Sequence, residues 1–286
     1  MSEHGFLRVA EVLRNTATLL MPAAGEEAAL EARILVACVL KAPVRELFLW
    51  RDKVFDEAAQ RQLAGLIRRR LSCEPIQYIV GEWEFMGLPF RVRPGALIPR
   101  QDTETLVEAA LKLKQERGYK TVLDLCCGTG CVGISLSRLG GMEATLTDIS
   151  SFCIELAKEN AALNAASVRV VKSDYFEHVE GQFDMIVSNP PYLNKRDMEM
   201  LQKEVQKEPR LALDGGEDGL FAYRTIAREY EKHLRPGGAL LMEVGVFQAE
   251  EVSALFAGET RTIDDYNGIA RVVVAEKIEC GESPMI

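Results

Sequence analysis

The residues with the clearest chemical potential form the segment Asn189-Pro190-Pro191-Tyr192, which directly follows a short apolar run ending at Ser188. Two adjacent prolines fix their φ angles and carry no N–H, so the loop leaves its carbonyl oxygens free to accept hydrogen bonds. The asparagine adds a side-chain oxygen acceptor, and the tyrosine adds a flat ring. A simple strand-ending turn has little need of this combination of acceptors and a flat ring.

A second segment, Cys126-Cys127-Gly128-Thr129-Gly130, joins a predicted strand to a predicted helix. Glycine lets the backbone turn sharply and lets a ligand approach, and the start of the helix offers unpaired N–H groups. The segment is not a clean dinucleotide fingerprint, because Cys126 stands where a first glycine is expected. It is not a phosphate loop either, because no Lys-Ser/Thr pair follows. The pattern predicts a ligand-binding turn without naming the ligand.

Two acidic positions extend this pattern. Asp148 ends the next predicted strand 18 residues after Gly130, close to the roughly 20 expected for a carboxylate that receives ribose hydroxyls. The alternative is a helix N-cap for the segment that starts at Ser150. Asp174 and Tyr175 follow the third strand, where they can meet an adenine edge and face. Their alternative is a loop carboxylate and a packed aromatic, and the residues alone leave both pairs of interpretations open.

Alternating strands and helices must position these side chains. The predicted strands are 121–125, 144–148, 168–171, 184–188, 239–244 and 270–275, and segments such as 152–164 and 223–234 suit helices. This alternation favours a mostly parallel sheet covered by helices on both faces.

The N-terminal part has a different pattern. Apolar residues recur at helical spacing in three stretches and predict a small helical bundle, with breaks at 22–25 and Pro43. Arg68-Arg69-Arg70 is interpreted as a solvated helix end rather than a binding patch.

A β-hairpin is predicted between these two parts. The segments 76–80 and 90–92 are β-prone and flank a turn-like break at 86–89. Asp102 or Thr103 is then predicted to cap a helix that runs to about Arg117 and ends at Gly118.

Composition excludes several classes of protein. The 286 residues are 48% hydrophobic and 27% charged, which argues against a disordered, collagenous or fibrous chain and favours one large domain or two smaller ones. No run approaches the roughly 18 apolar residues that span a bilayer, and the segment Met1-Ser2-Glu3-His4 lacks the features of a signal peptide. The seven cysteines are an odd count, and three of them lie within 126–131. This pattern predicts reduced thiols and a cytoplasmic location.

Charge is uneven along the chain. The formal charge is +1 over residues 1–80 and −10 over residues 81–286. Nucleic-acid-binding proteins usually present a concentrated basic surface, so this balance weighs against a duplex-binding protein without excluding one.

Together these motifs resemble a known family. The Asn189–Tyr192 loop behind a Gly-rich turn and a ribose aspartate resembles S-adenosylmethionine-dependent methyltransferases that act on a planar nitrogen, both the adenine-N6 and the protein-glutamine enzymes. The flanking segments resemble the HemK family, the release-factor glutamine methyltransferases, over essentially the whole chain; they are Glu74–Gly81 with Phe85, Leu97–Glu104, Glu208–Arg224, Glu243–Gly245 with Gln248, and Gly268 with Arg271–Val273.

This resemblance implies an α/β fold: a doubly wound, mostly parallel, seven-stranded Rossmann-like sheet, preceded by a helical bundle and a β-hairpin linker. The implied domains are a substrate-docking domain at 1–73, a linker at 74–100 and a methyltransferase domain at 101–286. The implied reaction moves a methyl group from S-adenosylmethionine, giving S-adenosylhomocysteine, to the glutamine amide nitrogen in the Gly-Gly-Gln motif of class I peptide-chain release factors. No metal, membrane or direct nucleic-acid partner is expected.

The resemblance also assigns roles to individual residues. Asn189, Pro190 and Tyr192 are the implied catalytic residues, and these three with Pro191 bind the substrate. The implied cofactor-binding residues are Cys126, Cys127, Gly128, Thr129, Gly130, Asp148, Asp174, Tyr175 and Asn189. Arg100 and Glu104 are expected to brace the linker. The sequence departs from the family pattern at Cys126, Asp102 and Ala270, where Gly, Glu and Asp are usual.

Two alternatives remain. A DNA or RNA adenine-N6 methyltransferase uses the same loop after base flipping, but the acidic balance and the lack of a basic insertion after Tyr192 count against it. A degenerate fold that binds cofactor without turnover is the second alternative, and the intact Asn189–Tyr192 loop argues against it.

Overall fold

The structure, a computed structural model, describes residues 7–277. The N-terminal segment Met1-Ser2-Glu3-His4 interpreted above lies outside these residues. The chain divides into two units: the first runs to Gly81 and includes Lys203–Lys207, and the second contains Glu82–Gln202 and the chain from Glu208 onward. Within the described residues, no helix combines the length and apolarity needed to cross a bilayer.

The first unit is helical, as predicted. Its regular elements are β1 (Leu7–Arg8), α1 (Val9–Ala24), α2 (Ala28–Leu40), β2 (Val54–Phe55), α3 (Glu57–Leu71) and α4 (Ile76–Val80), with three 3-10 segments at Gly25–Glu27, Val44–Trp50 and Val205–Lys207. Of the apolar residues that recur at helical spacing, Val9, Leu20, Ala37, Leu63 and Ile67 lie in its core, whereas Leu30 and Leu71 are exposed.

The interpretation of Arg68–Arg70 as a solvated helix end is wrong for one of the three arginines. The Arg70 side chain is only 3% exposed, and its Nε donates to Glu31 Oε2 at 2.7 Å. A second carboxylate, that of Glu204, lies 2.8 Å from Nη2. Burial of this guanidinium is possible because two carboxylates compensate its charge.

The predicted hairpin exists, but its first strand was misplaced. Ile76–Val80 is helix α4, and the hairpin pairs β3 (Glu82–Phe85) with β4 (Leu88–Arg91). Pro75 precedes the helix, and Gly81 closes it in the left-handed conformation with φ 79°. These end signals and the burial of Ile76, Tyr78 and Ile79 outweigh the β-propensity of the apolar run.

Helix α5 (Glu104–Arg117) ends at left-handed Gly118, as predicted. Thr103 stands at the N-cap position of this helix, but its side chain accepts no hydrogen bond from a helix N–H. The predicted side-chain cap is therefore wrong. The Asp102 carboxylate lies 3.2 Å from Arg271 Nη2 instead.

The predicted seven-stranded, mostly parallel sheet is confirmed. Its strands are β5 (Thr121–Leu125), β6 (Glu143–Asp148), β7 (Val168–Lys172), β8 (Phe183–Ser188), β9 (Leu234–Glu243), β10 (Thr260–Asp264) and β11 (Ala270–Glu276), in the order β10-β11-β9-β8-β5-β6-β7. Only β11 runs antiparallel to its two neighbours. β10, at one edge, was not among the six strands predicted individually.

Helices cover both faces of this sheet. Alternate strand residues point to opposite faces, so Val122 joins one core cluster and Leu123 joins the other. The first cluster contains residues of α5, α6 (Cys131–Gly140) and α7 (Ser151–Leu163). The second contains residues of α9 (Phe221–His233) and α10 (Ala249–Ser253). The remaining helix, α8, is the short segment Lys195–Glu199.

Candidate active site

Strand register brings the predicted site residues to one edge of the sheet. Leu125 pairs with Thr147 on one side and with Ser188 on the other, and Ser188 pairs with Met242. Because these strands are parallel, the residues that follow them lie side by side at the carboxyl edge, where ligands of open α/β sheets bind. Cys126, Asp148, Asn189 and Glu243 all stand at this edge.

The Gly-rich turn needs unusual backbone conformations. Gly128 and Gly130 have φ of 55° and 81°, and Cys126 has φ of 60°. A Cβ on Gly130 would approach Ile134 Cδ1 to 2.9 Å, so only glycine fits where the helix begins. Cys126 carries a side chain in a conformation that favours glycine, which explains why the resembled family usually has glycine there.

The thiols of this turn are held in their neutral form. Burial raises the pKa of Cys126 and Cys127 above the usual range and the pKa of Cys131 to about 12. Across residues 7–277, no group of three or more His, Cys, Asp or Glu residues is placed to hold a metal ion.

Asp148 braces the turn. Its Oδ2 accepts from the Gly128 N–H at 2.9 Å, and its Oδ1 accepts from the Ser150 N–H at 2.8 Å. The N-cap of α7 is Ser150, whose side chain accepts from the Cys153 N–H, so the alternative interpretation of Asp148 as that cap is wrong. Burial raises the pKa of Asp148, although its backbone hydrogen bonds oppose the shift. A carboxylate has about four lone-pair positions, so capacity remains for ligand hydroxyls.

A cavity of about 260 Å³ opens beside these residues. Of the predicted residues, its wall contains Cys126, Gly128, Asp148, Asp174, Tyr175, Asn189 and Pro191. Cys127 and Thr129 line a smaller neighbouring cavity of about 40 Å³, which also contacts Cys126, Gly128 and Asn189. Gly130, Pro190 and Tyr192 line neither cavity.

Sequence reasoning missed part of the larger wall. The additional residues are Gly95, Leu97, Thr147, Ile149, Ser150, Cys153, Ser173, Pro209, Leu211, Ala212, Asp214 and Phe221. Ser173 has a clear local role, because its hydroxyl donates to the Tyr175 carbonyl at 2.8 Å and accepts from the His178 N–H. The segment that follows the Asn189–Tyr192 loop shows no helical or strand periodicity, so its contact with the cavity had no sequence signal beyond the family resemblance.

The Asn189–Tyr192 loop is packed against two glycines. A Cβ on Gly215 would lie 2.8 Å from Tyr192 Cα, and a Cβ on Gly219 would lie 2.5 Å from the Tyr192 carbonyl oxygen. Leu193 donates its N–H to the Leu213 carbonyl at 2.9 Å and accepts from the Gly215 N–H at 2.8 Å. The following segment thus holds the loop by backbone contacts.

Two residues outside the predicted set contact the loop from the other side. Asn189 Nδ2 donates to Thr103 Oγ1 at 3.1 Å. Glu243 is 1% exposed, and burial raises the pKa of its carboxyl to about 7. Hydrogen bonds from the Thr103 and Tyr192 hydroxyls and the charge of Arg271 act against that shift. One sequence signal could have identified Glu243. It is a glutamate at the end of a strand, and that strand lies next to the one that precedes Asn189.

The linker is braced as the sequence suggested. The Arg100 guanidinium forms an ion pair with the buried Glu208, which also accepts from the Ile98 N–H at 3.1 Å. Glu104 Oε1 accepts from the Met86 N–H at 2.7 Å in the turn of the hairpin.

Two family models match the chain. The family model "Methyltransferase small domain" matches residues 101–228, and "PrmC N-terminal domain" matches residues 11–81. The fold is similar to that of a methyltransferase from Pyrococcus furiosus, with a TM-score of 0.53 and 19% identity over 77% of this chain and 99% of that one.

Two relatives are closer in sequence. The release factor glutamine methyltransferase of Geobacter sulfurreducens is 41% identical over 255 residues, which are 87% of this chain and 89% of that protein. That of Cereibacter sphaeroides is 41% identical over 278 residues, which are 94% of this chain and 98% of that protein. The chain belongs to the family of release factor glutamine methyltransferases.

Proposed function

We propose that this protein transfers a methyl group from S-adenosylmethionine to the side-chain amide nitrogen of the glutamine in the Gly-Gly-Gln motif of class I peptide-chain release factors. The observation that carries the proposal is the position of Asn189 in the wall of the cavity, with its Nδ2 already engaged by Thr103. Its Oδ1 is thereby left to accept a hydrogen bond from a planar N–H donor. The relatives in Geobacter sulfurreducens and Cereibacter sphaeroides, which are release factor glutamine methyltransferases, indicate the substrate class.

The residues of the cavity suit S-adenosylmethionine. Asp148 would accept from the ribose hydroxyls, the Gly-rich turn Cys126–Gly130 would approach the cofactor with its backbone, and Asp174 and Tyr175 would meet the adenine edge and face. When bound, the cofactor supplies a methyl group on a sulfonium, a good leaving group, and is released as S-adenosylhomocysteine.

The task of the chain is then orientation and electrostatics. An amide nitrogen is a poor nucleophile because its lone pair is delocalised into the carbonyl group. Asn189 Oδ1 and the Pro190 carbonyl would accept the two amide hydrogens and hold the nitrogen toward the cofactor cavity. These oxygens would also stabilise positive charge that develops on the nitrogen as its bond to the methyl carbon forms and the carbon–sulfur bond breaks. The cationic amide nitrogen is strongly acidic and would then lose one proton to solvent, so no side chain has to act as a strong base before attack. Tyr192 would pack against the amide plane, and Pro191 would complete the substrate contact.

The N-terminal residues 1–73 would dock the release factor, with 74–100 as the linker to a catalytic domain at 101–286. No direct contact with nucleic acid and no metal are required by this scheme. A cytoplasmic location is part of the proposal, because the six cysteines among the described residues are free and reduced thiols persist in that compartment.

The test uses purified, unmethylated release factor incubated with the full-length protein and S-adenosylmethionine. Mass spectrometry of the Gly-Gly-Gln peptide should show a gain of one methyl mass, and the Asn189→Ala variant should lose it. Asn267→Ala, a change at an exposed position outside the cavity wall, should retain it. If labelled methyl appeared in DNA or RNA instead, the adenine-N6 alternative would replace the proposal.

A further inference from the structure

We propose that Thr103 and Glu243 are positioning residues for methyl transfer, which together fix the orientation of the Asn189 carboxamide. This inference rests on the function proposed above, because it concerns the group that would hold the substrate amide. Neither residue belongs to the Asn189–Tyr192 motif, and they come from positions 86 residues before and 54 residues after Asn189 in the chain.

The Thr103 hydroxyl is directed at the site rather than at its own helix. Thr103 is 2% exposed and stands at the N-cap of α5, where a threonine side chain usually accepts from a helix N–H. No such capping bond forms. The hydroxyl oxygen instead accepts from Asn189 Nδ2 at 3.1 Å. The helix therefore lacks a capping hydrogen bond, which would contribute about 1 kcal/mol to its stability, and the hydroxyl contacts the loop instead.

Glu243 supplies the second half of the arrangement. It ends β9, next to the strand that leads to Asn189, and the hydroxyls of Thr103 and Tyr192 act on its carboxyl, lowering the pKa of that group against the effect of burial. Its Oε2 is buried and has no hydrogen-bond partner within residues 7–277. A buried polar atom in this condition is costly and calls for a role beyond packing.

The single proton of the Thr103 hydroxyl decides the orientation of the Asn189 side-chain amide. A threonine hydroxyl has one proton to donate. When that proton is donated to the Glu243 carboxylate, Thr103 Oγ1 can act toward Asn189 only as an acceptor, so it selects Nδ2. The carboxamide then presents Oδ1 away from Thr103. In the opposite orientation the Asn189 N–H groups would face the N–H groups of the substrate, and two donors repel.

The Tyr192 hydroxyl acts on the same carboxyl and lowers its pKa. Asn189, through Thr103, and Tyr192 are both proposed to contact the substrate amide, and both therefore depend on Glu243. This buried residue lies on a strand rather than on a loop. A site held by a strand is positioned more accurately than one held by a loop alone.

The first experiment measures the steady-state kinetics of release-factor methylation. Thr103→Val keeps the shape but removes the hydroxyl, and we expect kcat to fall about tenfold to a hundredfold, as for a misplaced reacting group. KM for the release factor and the affinity for S-adenosylmethionine should change less than about threefold, because Thr103 is not in the wall of the larger cavity that would hold the cofactor. Thr103→Ser retains the hydroxyl and should restore kcat to within about threefold.

Thr105→Val is the matched control. Thr105 is also buried in the first turn of α5, at 6% exposure, but the side-chain amide of Asn189 donates to Thr103 and not to Thr105. If Thr105→Val lowered kcat as much as Thr103→Val, a general effect on the helix would explain both, and the inference would be overturned.

A second readout does not depend on the substrate. The side-chain amide resonance of Asn189, assigned by its loss in Asn189→Ala, should shift and exchange faster with solvent in Thr103→Val. Glu243→Gln should change the resonance in the same direction, since a glutamine side chain can donate as well as accept. An unchanged resonance in both variants would overturn the inference.

The two proposals fail separately. A wild-type protein that methylates the release factor, together with full kcat in Thr103→Val, overturns the positioning role and leaves the proposed function intact. A wild-type protein that does not methylate the release factor overturns the proposed function, and the Asn189 resonance alone then decides the positioning role.

Discussion

The side-chain amide of Gln248 donates a hydrogen bond to the backbone carbonyl of Tyr192 at 3.0 Å, across 56 residues of sequence. The same side chain accepts from the Gly245 N–H through Oε1, also at 3.0 Å. One glutamine therefore fastens the Asn189–Tyr192 loop to the segment that follows β9. Its side-chain amide pairs with one backbone donor, the Gly245 N–H, and with one backbone acceptor, the Tyr192 carbonyl, in a half-buried region.

We expect Gln248→Glu to reduce methylation of the release factor. The variant places a carboxylate oxygen against the Tyr192 carbonyl. The hydrogen bond from the Gln248 amide is thereby replaced by repulsion between two acceptors. Loss of one such hydrogen bond costs about 1–3 kcal/mol, which corresponds to roughly a tenfold to hundredfold loss of kcat/KM. Steady-state kinetics measure the effect, and an unchanged kcat/KM would show that the loop does not depend on Gln248.

Gly219→Ala is expected to disrupt the loop by direct contact. The added Cβ would lie 2.5 Å from the Tyr192 carbonyl oxygen and 2.8 Å from Gln248 Nε2. Gly268→Ala is a matched control, because Gly268 has a similar φ of 74° but no atom within 4 Å of the added Cβ. Both variants carry the backbone strain of a non-glycine residue at positive φ. Only Gly219→Ala should also lose activity, measured as methyl transfer at equal folded fraction.

Asp148→Ala should weaken S-adenosylmethionine binding. It removes the proposed ribose acceptor and also the partner of the Gly128 N–H. Hydrogen bonds to a charged group contribute about 1.5–3 kcal/mol, so we expect the Kd to rise roughly tenfold to a hundredfold. Isothermal titration calorimetry with the full-length protein measures the change. A Kd equal to that of the wild type would remove Asp148 from the cofactor site.

Asp124 should make stability depend on pH. The residue is 1% exposed, and burial raises its pKa to about 7, opposed by its hydrogen bond from the Gly133 N–H. The folded state therefore retains a proton that the unfolded chain has released between about pH 4 and pH 7. The stabilisation is complete below the unfolded pKa and is lost as pH rises through about 7.

The Asp124→Asn variant isolates this effect, because it cannot titrate. The free energy of unfolding of the wild type, minus that of the variant, should be larger at pH 5 than at pH 8. Urea unfolding at the two pH values measures the difference. A difference that is the same at both would show that Asp124 titrates normally.

The buried ion pair of the first unit should be sensitive to loss of one partner. Glu31→Ala leaves the Arg70 guanidinium, 3% exposed, with only Glu204 as a carboxylate partner. We expect a loss of about 3–5 kcal/mol in the stability of the unit. Glu57→Ala removes an exposed pair with Arg61 and should cost less than about 1 kcal/mol. Thermal unfolding followed by circular dichroism compares them, and equal effects would contradict the expectation.

The chemistry of this protein was determined largely by short contiguous segments of sequence. Asn189–Tyr192 and Cys126–Gly130 carry their backbone constraints in their own residues, since proline fixes φ and glycine permits positive φ. The parallel strands were equally predictable, because apolar runs that are buried on both faces stand out between helical stretches. These local signals predicted six of the seven strands individually and carried the family resemblance, which in turn implied the seven-stranded sheet.

Tertiary structure decided what the local pattern left open. Ile76–Val80 has the composition of a strand but is a short helix, because its end residues and its burial favour that conformation. The partners of the Asn189–Tyr192 loop, namely Thr103, Glu243, Gln248 and Gly219, are spread over more than a hundred residues of sequence. Strand order and register bring them together, and neither follows from the spacing of residues along the chain. Whether a threonine caps its helix or orients a distant asparagine depends on which groups are buried beside it, and only the folded chain determines that.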